Sequence, residues 1–187
     1  APSFRNHLER ERDMRYRLAE VPYNRKAAVA YADYWAYRRN PKYYAFDEIG
    51  GDCTNFVSQC VFAGCGVMND TPDYGWYYYN VNDRAPAWTG VGYFYRFLTE
   101  NRGAGPFGRE ASVETLLPGD VIQLVLGGKE DFSHTVLVME SGNTPETIRI
   151  ASHDNNANCR PLATYAYSRV RGIRIEGARH LLAEEKR

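Results

Sequence analysis

The chain has 187 residues, enough for one domain with a substantial core and too few for two ordinary ones. Lys plus Arg and Asp plus Glu both number 23, so the net charge is zero and no global field favours nucleic acid or an anionic membrane. No apolar run is long enough to span a bilayer, and no charged-then-apolar leader opens the chain. The expectation is a monomeric domain with no nucleic-acid partner and no membrane insertion.

Residues 1–22 interleave charges of both signs, including Arg5, Glu9, Arg10, Glu11 and Arg12, and predict a polar, partly detached N-terminal helix. After Val21-Pro22 a second helix is expected over residues 23–39. Asn24 caps it, Ala27, Tyr31, Tyr34 and Trp35 form its apolar face, and Asn40-Pro41 ends it. The Gly50-Gly51 pair then breaks the chain ahead of a buried helix that starts near Cys53, with Asp52 or Thr54 as cap. It ends at Gly64 or Gly66. Residues 68–88 read as an aromatic loop carrying Trp76 and Trp88 over a cleft, followed by a helix over 91–101.

Beyond residue 108 the pattern turns to β. Leu117-Pro118-Gly119-Asp120 is a turn, and strands are predicted over 121–126, 134–139, 147–152 and 170–175. Residues 177–187 read as a charged tail, helical or disordered. The result is an α+β domain over 23–176 in which N-terminal helices pack on an antiparallel sheet.

Four cysteines, at 53, 60, 65 and 159, form no CxxC pair and no zinc-ligand spacing, so no structural metal is expected. If Cys53 stays free the other three cannot all pair, and a disulfide framework does not hold the fold. The start at Ala1 fits a processed chain and points toward secretion or the cell envelope. Fifteen tyrosines supply rings that can line a sugar- or peptide-binding cleft or simply pack on helix flanks.

Cys53 is the candidate nucleophile, because a helix N-terminus favours the thiolate. It needs a base, and of four histidines His7 and His180 lie in the charged ends. His134 stands where one strand begins and His153 where the next one ends, so an antiparallel hairpin brings them to one edge of the sheet. His134 is then the base, and His153, Asp154 or Asn155 the group that orients it; strand parity leaves that choice open. Asn55 and Gln59, one turn apart on the cysteine helix, are expected to hold adjacent loops.

The blocks Gly51-Asp52-Cys53-Thr54-Asn55-Phe56-Val57-Ser58-Gln59, Leu117-Pro118-Gly119-Asp120-Val121-Ile122, Ser133-His134-Thr135-Val136 and Ser152-His153-Asp154-Asn155, with the Trp76/Trp88 segment, resemble the bacterial putative amidase domain family over residues 23–175. That family is similar in fold to the NlpC-type cell-wall peptidases among papain-like cysteine hydrolases. The resemblance implies cofactor-free hydrolysis of an amide bond, in peptidoglycan or a related peptide, through an acyl-enzyme. Carried onto this chain it makes Cys53 the nucleophile and His134 the base and acid. It ranks His153 ahead of Asp154 and Asn155 as third residue, since NlpC-type sites often use a second histidine there. Asp52, Trp76, Trp88 and Ser133 become substrate-side residues, with the Cys53 N–H as oxyanion donor. Two competing readings use the same residues: a cell-wall-binding module without turnover, and an acyltransferase.

Overall fold

The computed structural model describes residues 14–185. Its first helix, α1 (Arg25–Trp35), is capped by the Asn24 side chain, which accepts the Ala27 N–H at 3.0 Å. The second, α2 (Cys53–Cys65), is buried along almost its whole length and stops at Gly66, whose φ of +68° is the left-handed conformation of a glycine cap. α1 lies on α2 through Ala28 and Ala32, both without exposed surface. At Gly64 an added Cβ would come within 2.4 Å of the Tyr23 ring, so a small residue lets the two elements meet. Gln59 on α2, expected to hold a loop, instead accepts a hydrogen bond from Tyr31 Oη of α1 at 2.5 Å and ties the two helices further.

The rest of the chain supplies a sheet and the short elements that close it. A two-stranded ribbon, β2 (Tyr78–Asn80) with β3 (Asp83–Arg84), precedes α3 (Pro86–Thr89) and α4 (Val91–Glu100). Then come β4 (Gly105–Ala111), β5 (Val121–Leu126), β6 (His134–Glu140), β7 (Arg149–Ser152), β8 (Ala157–Pro161) and β9 (Tyr167–Glu185). With β1 (Met14–Val21) these form a seven-stranded sheet of order β1-β9-β5-β6-β7-β8, β4 pairing β9 as well, and every pairing is antiparallel. The fold is α+β, with few helices and an antiparallel sheet.

Alternation along β5 and β6 splits the core in two. Val121, Leu137, Ala151 and Ile173 face α2 together with Phe56, Val57, Trp76 and Trp88. Ile122, Leu124, Val136, Val138 and Ile150 form a second cluster with Leu116 and Leu162. Asp120, placed by the Pro118-Gly119 turn, locks the layers: its carboxylate accepts from Arg25 Nη1 at 2.7 Å, the Ile175 N–H at 2.9 Å and the Leu117 N–H at 2.8 Å. Tyr23 Oη adds a 2.8 Å bond to the Gly119 carbonyl.

Both predicted terminal extensions depart from expectation where they are described. Met14–Val21 is a strand, not the end of a helix, and it pairs from Met14↔Glu185 to Val21↔Ala178 with the tail expected to be helical or disordered. The helical reading of residues 1–13 lies outside the described residues. A local charge pattern carries no information about pairing across some 160 residues, and pairing satisfies the backbone of both segments at once. β4 and β8 also escaped the sequence reading. They are broken by Gly105, Pro106 and Gly108, and by Asn158 and Pro161, which disrupt any alternation.

Candidate active site

Cys53 is the first residue of α2, and the chain reaches it through Gly51 at φ +97°. That glycine serves a contact as well as a turn: a Cβ there would stand 2.5 Å from the Asp154 carboxylate. Asp154 follows β7 in the left-handed conformation, φ +60°, which curls its side chain back over the start of α2. It accepts the Asp52 N–H at 2.7 Å on one oxygen and the Cys53 N–H at 3.3 Å on the other. A carboxylate from a distant strand end thus fills the anion-seeking N-terminus of the cysteine helix.

Asp52 does not cap α2 with its own side chain. The carboxylate is buried and accepts instead from the Phe46 N–H at 2.8 Å, Asn55 Nδ2 at 2.9 Å and His153 Nδ1 at 2.5 Å, with Arg39 Nε 3.7 Å away. His153 stacks on Phe56, ring centroids 4.0 Å apart and 14° between planes, and its Nε2 lies 2.9 Å from the Trp35 carbonyl and 3.0 Å from Arg39 Nη1. Arg39 grips Asp47 with two bonds of 2.8 and 2.6 Å. Both ring nitrogens of His153 are therefore engaged by Asp52, Arg39 and the Trp35 carbonyl.

The sulfur has other neighbours. Cys53 Sγ, a ring nitrogen of His134 and a carboxylate oxygen of Asp154 lie within 4.8 Å of one another. The β6–β7 register explains the meeting: Leu137 pairs Ala151, so three residues further along His134 comes abreast of Asp154. Thr54 Oγ1, 3.8 Å from Sγ, hydrogen-bonds Thr135 Oγ1 at 2.9 Å and joins the helix to the histidine strand.

Burial keeps both reactive groups neutral. It pushes the Cys53 thiol up to about 12, the Asp154 charge adding to the effect while Thr135 and Thr54 oppose it. Burial also takes the His134 imidazole down to about 4, against an upward pull from Asp154 and with a further downward one from Arg160. At neutral pH the resting pair is thiol and imidazole, not thiolate and imidazolium.

Trp76 and Trp88 are fully buried, so they sit inside the core and not on a cleft wall. Trp88 Nε1 donates to Asn55 Oδ1 at 3.0 Å and Trp76 Nε1 to Ser58 Oγ at 3.0 Å, and Ser58 Oγ donates to the Trp88 carbonyl at 2.9 Å. The aromatic segment braces the back of α2. Asn55 also bonds the Tyr44 carbonyl, in line with its expected loop-holding role. Ser133, next to His134, closes the β5–β6 connection through its N–H to the Leu124 carbonyl at 2.9 Å and stands outside the cluster. Asn155 is exposed. Sequence reasoning missed Arg39 and the contact of Asp154 with the helix start, which depends on the left-handed turn at Asp154.

Cys53, His134 and Asp154 are also the one group of three metal-type donors among the described residues. Both Asp154 oxygens are already taken by backbone N–H groups, which favours a hydrogen-bonded acid over a ligand. All four cysteines are free thiols.

Comparison with known proteins places the chain. The uncharacterized protein YhbB of Bacillus subtilis (strain 168) is 30% identical over 159 residues, a match that takes in 79% of this chain and 50% of that protein. The chain thus spans about half the length of that curated relative. No solved structure matches. The profile of the putative amidase domain matches residues 22–175, from just after β1 to the middle of β9 and including Cys53, His134, His153 and Asp154. The chain belongs to the putative amidase domain family.

Proposed function

We propose that this chain is a cysteine-dependent amidohydrolase of papain-like architecture that cleaves an amide bond in a peptide or peptidoglycan-like substrate through an acyl-enzyme. The observation that carries the reading is the convergence of Cys53 Sγ, a His134 ring nitrogen and an Asp154 oxygen within 4.8 Å at a helix N-terminus. Family membership supports amide hydrolysis at the coarse level, and the cysteine mechanism is the finer step.

Because the resting pair is neutral, His134 accepts the thiol proton as Sγ attacks the carbonyl carbon, rather than holding a preformed thiolate. The Cys53 N–H is the natural donor for the oxyanion that forms, but Asp154 occupies it at rest. The incoming oxygen displaces the carboxylate toward His134, where its charge supports the imidazolium formed at that moment. His134 then protonates the leaving amine, and water deacylates the enzyme by the reverse path. In this reading Asp154 is the third residue. His153 fixes Asp52, the residue before the nucleophile, as a positioning residue.

The test is mass spectrometry of peptidoglycan digests treated with the protein and with Cys53→Ala. The expected outcome is new amide-cleavage products that vanish with the variant. Cleavage retained by Cys53→Ala would end the cysteine mechanism.

A further inference from the structure

One wall beside the candidate site holds a cation that makes no ion-pair contact among the described residues. Arg171 stands on β9 opposite Gln123 on β5, and Gln123 stands opposite Thr135 on β6. The three side chains form a row on the sheet face that carries α2. Gln123 Nε2 donates to Thr135 Oγ1 at 3.3 Å, and Gln123 Oε1 accepts from Arg171 Nε and Nη2 at 2.9 and 2.6 Å. Through Thr135 and Thr54 the row ends beside Cys53 Sγ. Two strand spacings put the Arg171 backbone about 10 Å from that of Thr135.

The guanidinium is clamped between two rings, 3.8 Å above Phe132 and 3.6 Å above Tyr95, and Arg169 stands over the other reach of Phe132 at 5.0 Å. Among the described residues no carboxylate lies within 4.0 Å of an Arg171 nitrogen. Two acids in the neighbourhood attract it from beyond contact distance while accepting other donors: Glu110 accepts from Tyr95 Oη at 3.0 Å, and Asp131 accepts the Phe132 N–H at 2.7 Å. Arg171 is half-buried, with Nη1 free of any hydrogen bond among the described residues. Such a clamped, unpaired fork fixes geometry in advance for a carboxylate.

We propose that Arg171 anchors a substrate carboxylate, so that the preferred substrate is an acidic peptide whose carboxylate lies one or two residues from the scissile amide. The inference rests on the proposed function, since it uses Cys53 as the reference point. The separation follows from the 10 Å span less the reach of the arginine side chain, at about 3.5 Å per extended residue. Arg169 supplies a second positive charge at the rim.

The test uses two alkylating probes, bromoacetyl-glycylglycine as free acid and as its amide, on the protein with Cys159→Ser to remove the half-buried thiol. The rate of Cys53 modification is read by peptide mass spectrometry. The expected ratio of acid to amide rates is about fivefold to tenfold in favour of the acid, falling toward unity in Arg171→Gln and partly restored in Arg171→Lys. Added salt lowers the ratio in the protein with Arg171 intact, a readout that does not depend on any Arg171 variant folding. A ratio near unity with Arg171 present, or one that Arg171→Gln leaves unchanged, overturns the carboxylate anchor while leaving Cys53 reactive. Failure of both probes to label Cys53 overturns the nucleophile itself and the anchor with it.

Discussion

The two sides of the Asp52–Cys53 peptide are built on opposite rules. Below it, Asp52, His153, Arg39, Asn55 and Trp88 form a buried network with every polar side-chain atom of Asp52, His153 and Asn55 bonded. Above it, Cys53, His134 and Asp154 approach within 4.8 Å, yet the His134 ring makes no hydrogen bond among the described residues. Full satisfaction rigidifies, whereas a ring nitrogen with no partner in the protein is ready to take one. The lower side is thus a mount and the upper side the reactive surface.

Cutting the mount has the largest expected effect. Asp52→Ala leaves His153 buried without its carboxylate, takes the nearby charge from half-buried Arg39, which keeps Asp47, and removes acceptors from Phe46 and Asn55. A loss of about 3–5 kcal/mol is expected from breaking a buried charged network, measured as the fall in unfolding free energy in urea. A loss under about 1 kcal/mol, the range of exposed pairs, would show that the two sides do not differ in kind.

The upper side shows itself through pH. The His134 imidazole is held at about 4 when folded against an ordinary 6.5 when unfolded. Between those values the unfolded chain takes up a proton that the folded chain refuses. Stability is therefore full above about pH 6.5, declines as pH falls to about 4, and loses no more from this residue below that. A fall of that size corresponds to about 3 kcal/mol at most. His134→Gln removes the titrating group, so its stability profile should be flatter by that amount across the window. Parallel profiles for the two proteins would contradict the burial argument.

Much of this site is legible in the sequence, and what is not has a physical cause. The cysteine helix, its left-handed stop at Gly66 and the hairpin that brings His134 toward the Ser152–Asn155 stretch follow from local signals: glycine punctuation, apolar spacing and strand alternation. Which of three neighbours reaches the cluster does not follow from alternation, because Asp154 leaves the strand in a left-handed conformation and reverses its direction. The role of Trp76 and Trp88 was equally hidden. Indole rings read as cleft lining until their N–H groups are seen to be consumed by Asn55 and Ser58. The edge strand β1 was hidden by its partner's distance in the chain.

Asp154 belongs to both sides, and its substitution separates capping from chemistry. Its charge raises the Cys53 thiol and supports protonation of His134, so Asp154→Asn moves both groups downward. The thiol then ionises more readily, and alkylation of Cys53 by iodoacetamide at pH 8 should become faster, by about tenfold. Hydrolysis should become slower by a similar or larger factor, because the imidazolium that protonates the leaving amine loses its supporting charge. A carboxylate that only caps α2 gives another pattern: loss of the cap lowers stability by about 1 kcal/mol and moves alkylation and hydrolysis in the same direction. Opposite signs for the two rates are the mark of a residue that restrains the nucleophile at rest and assists the base in the transition state.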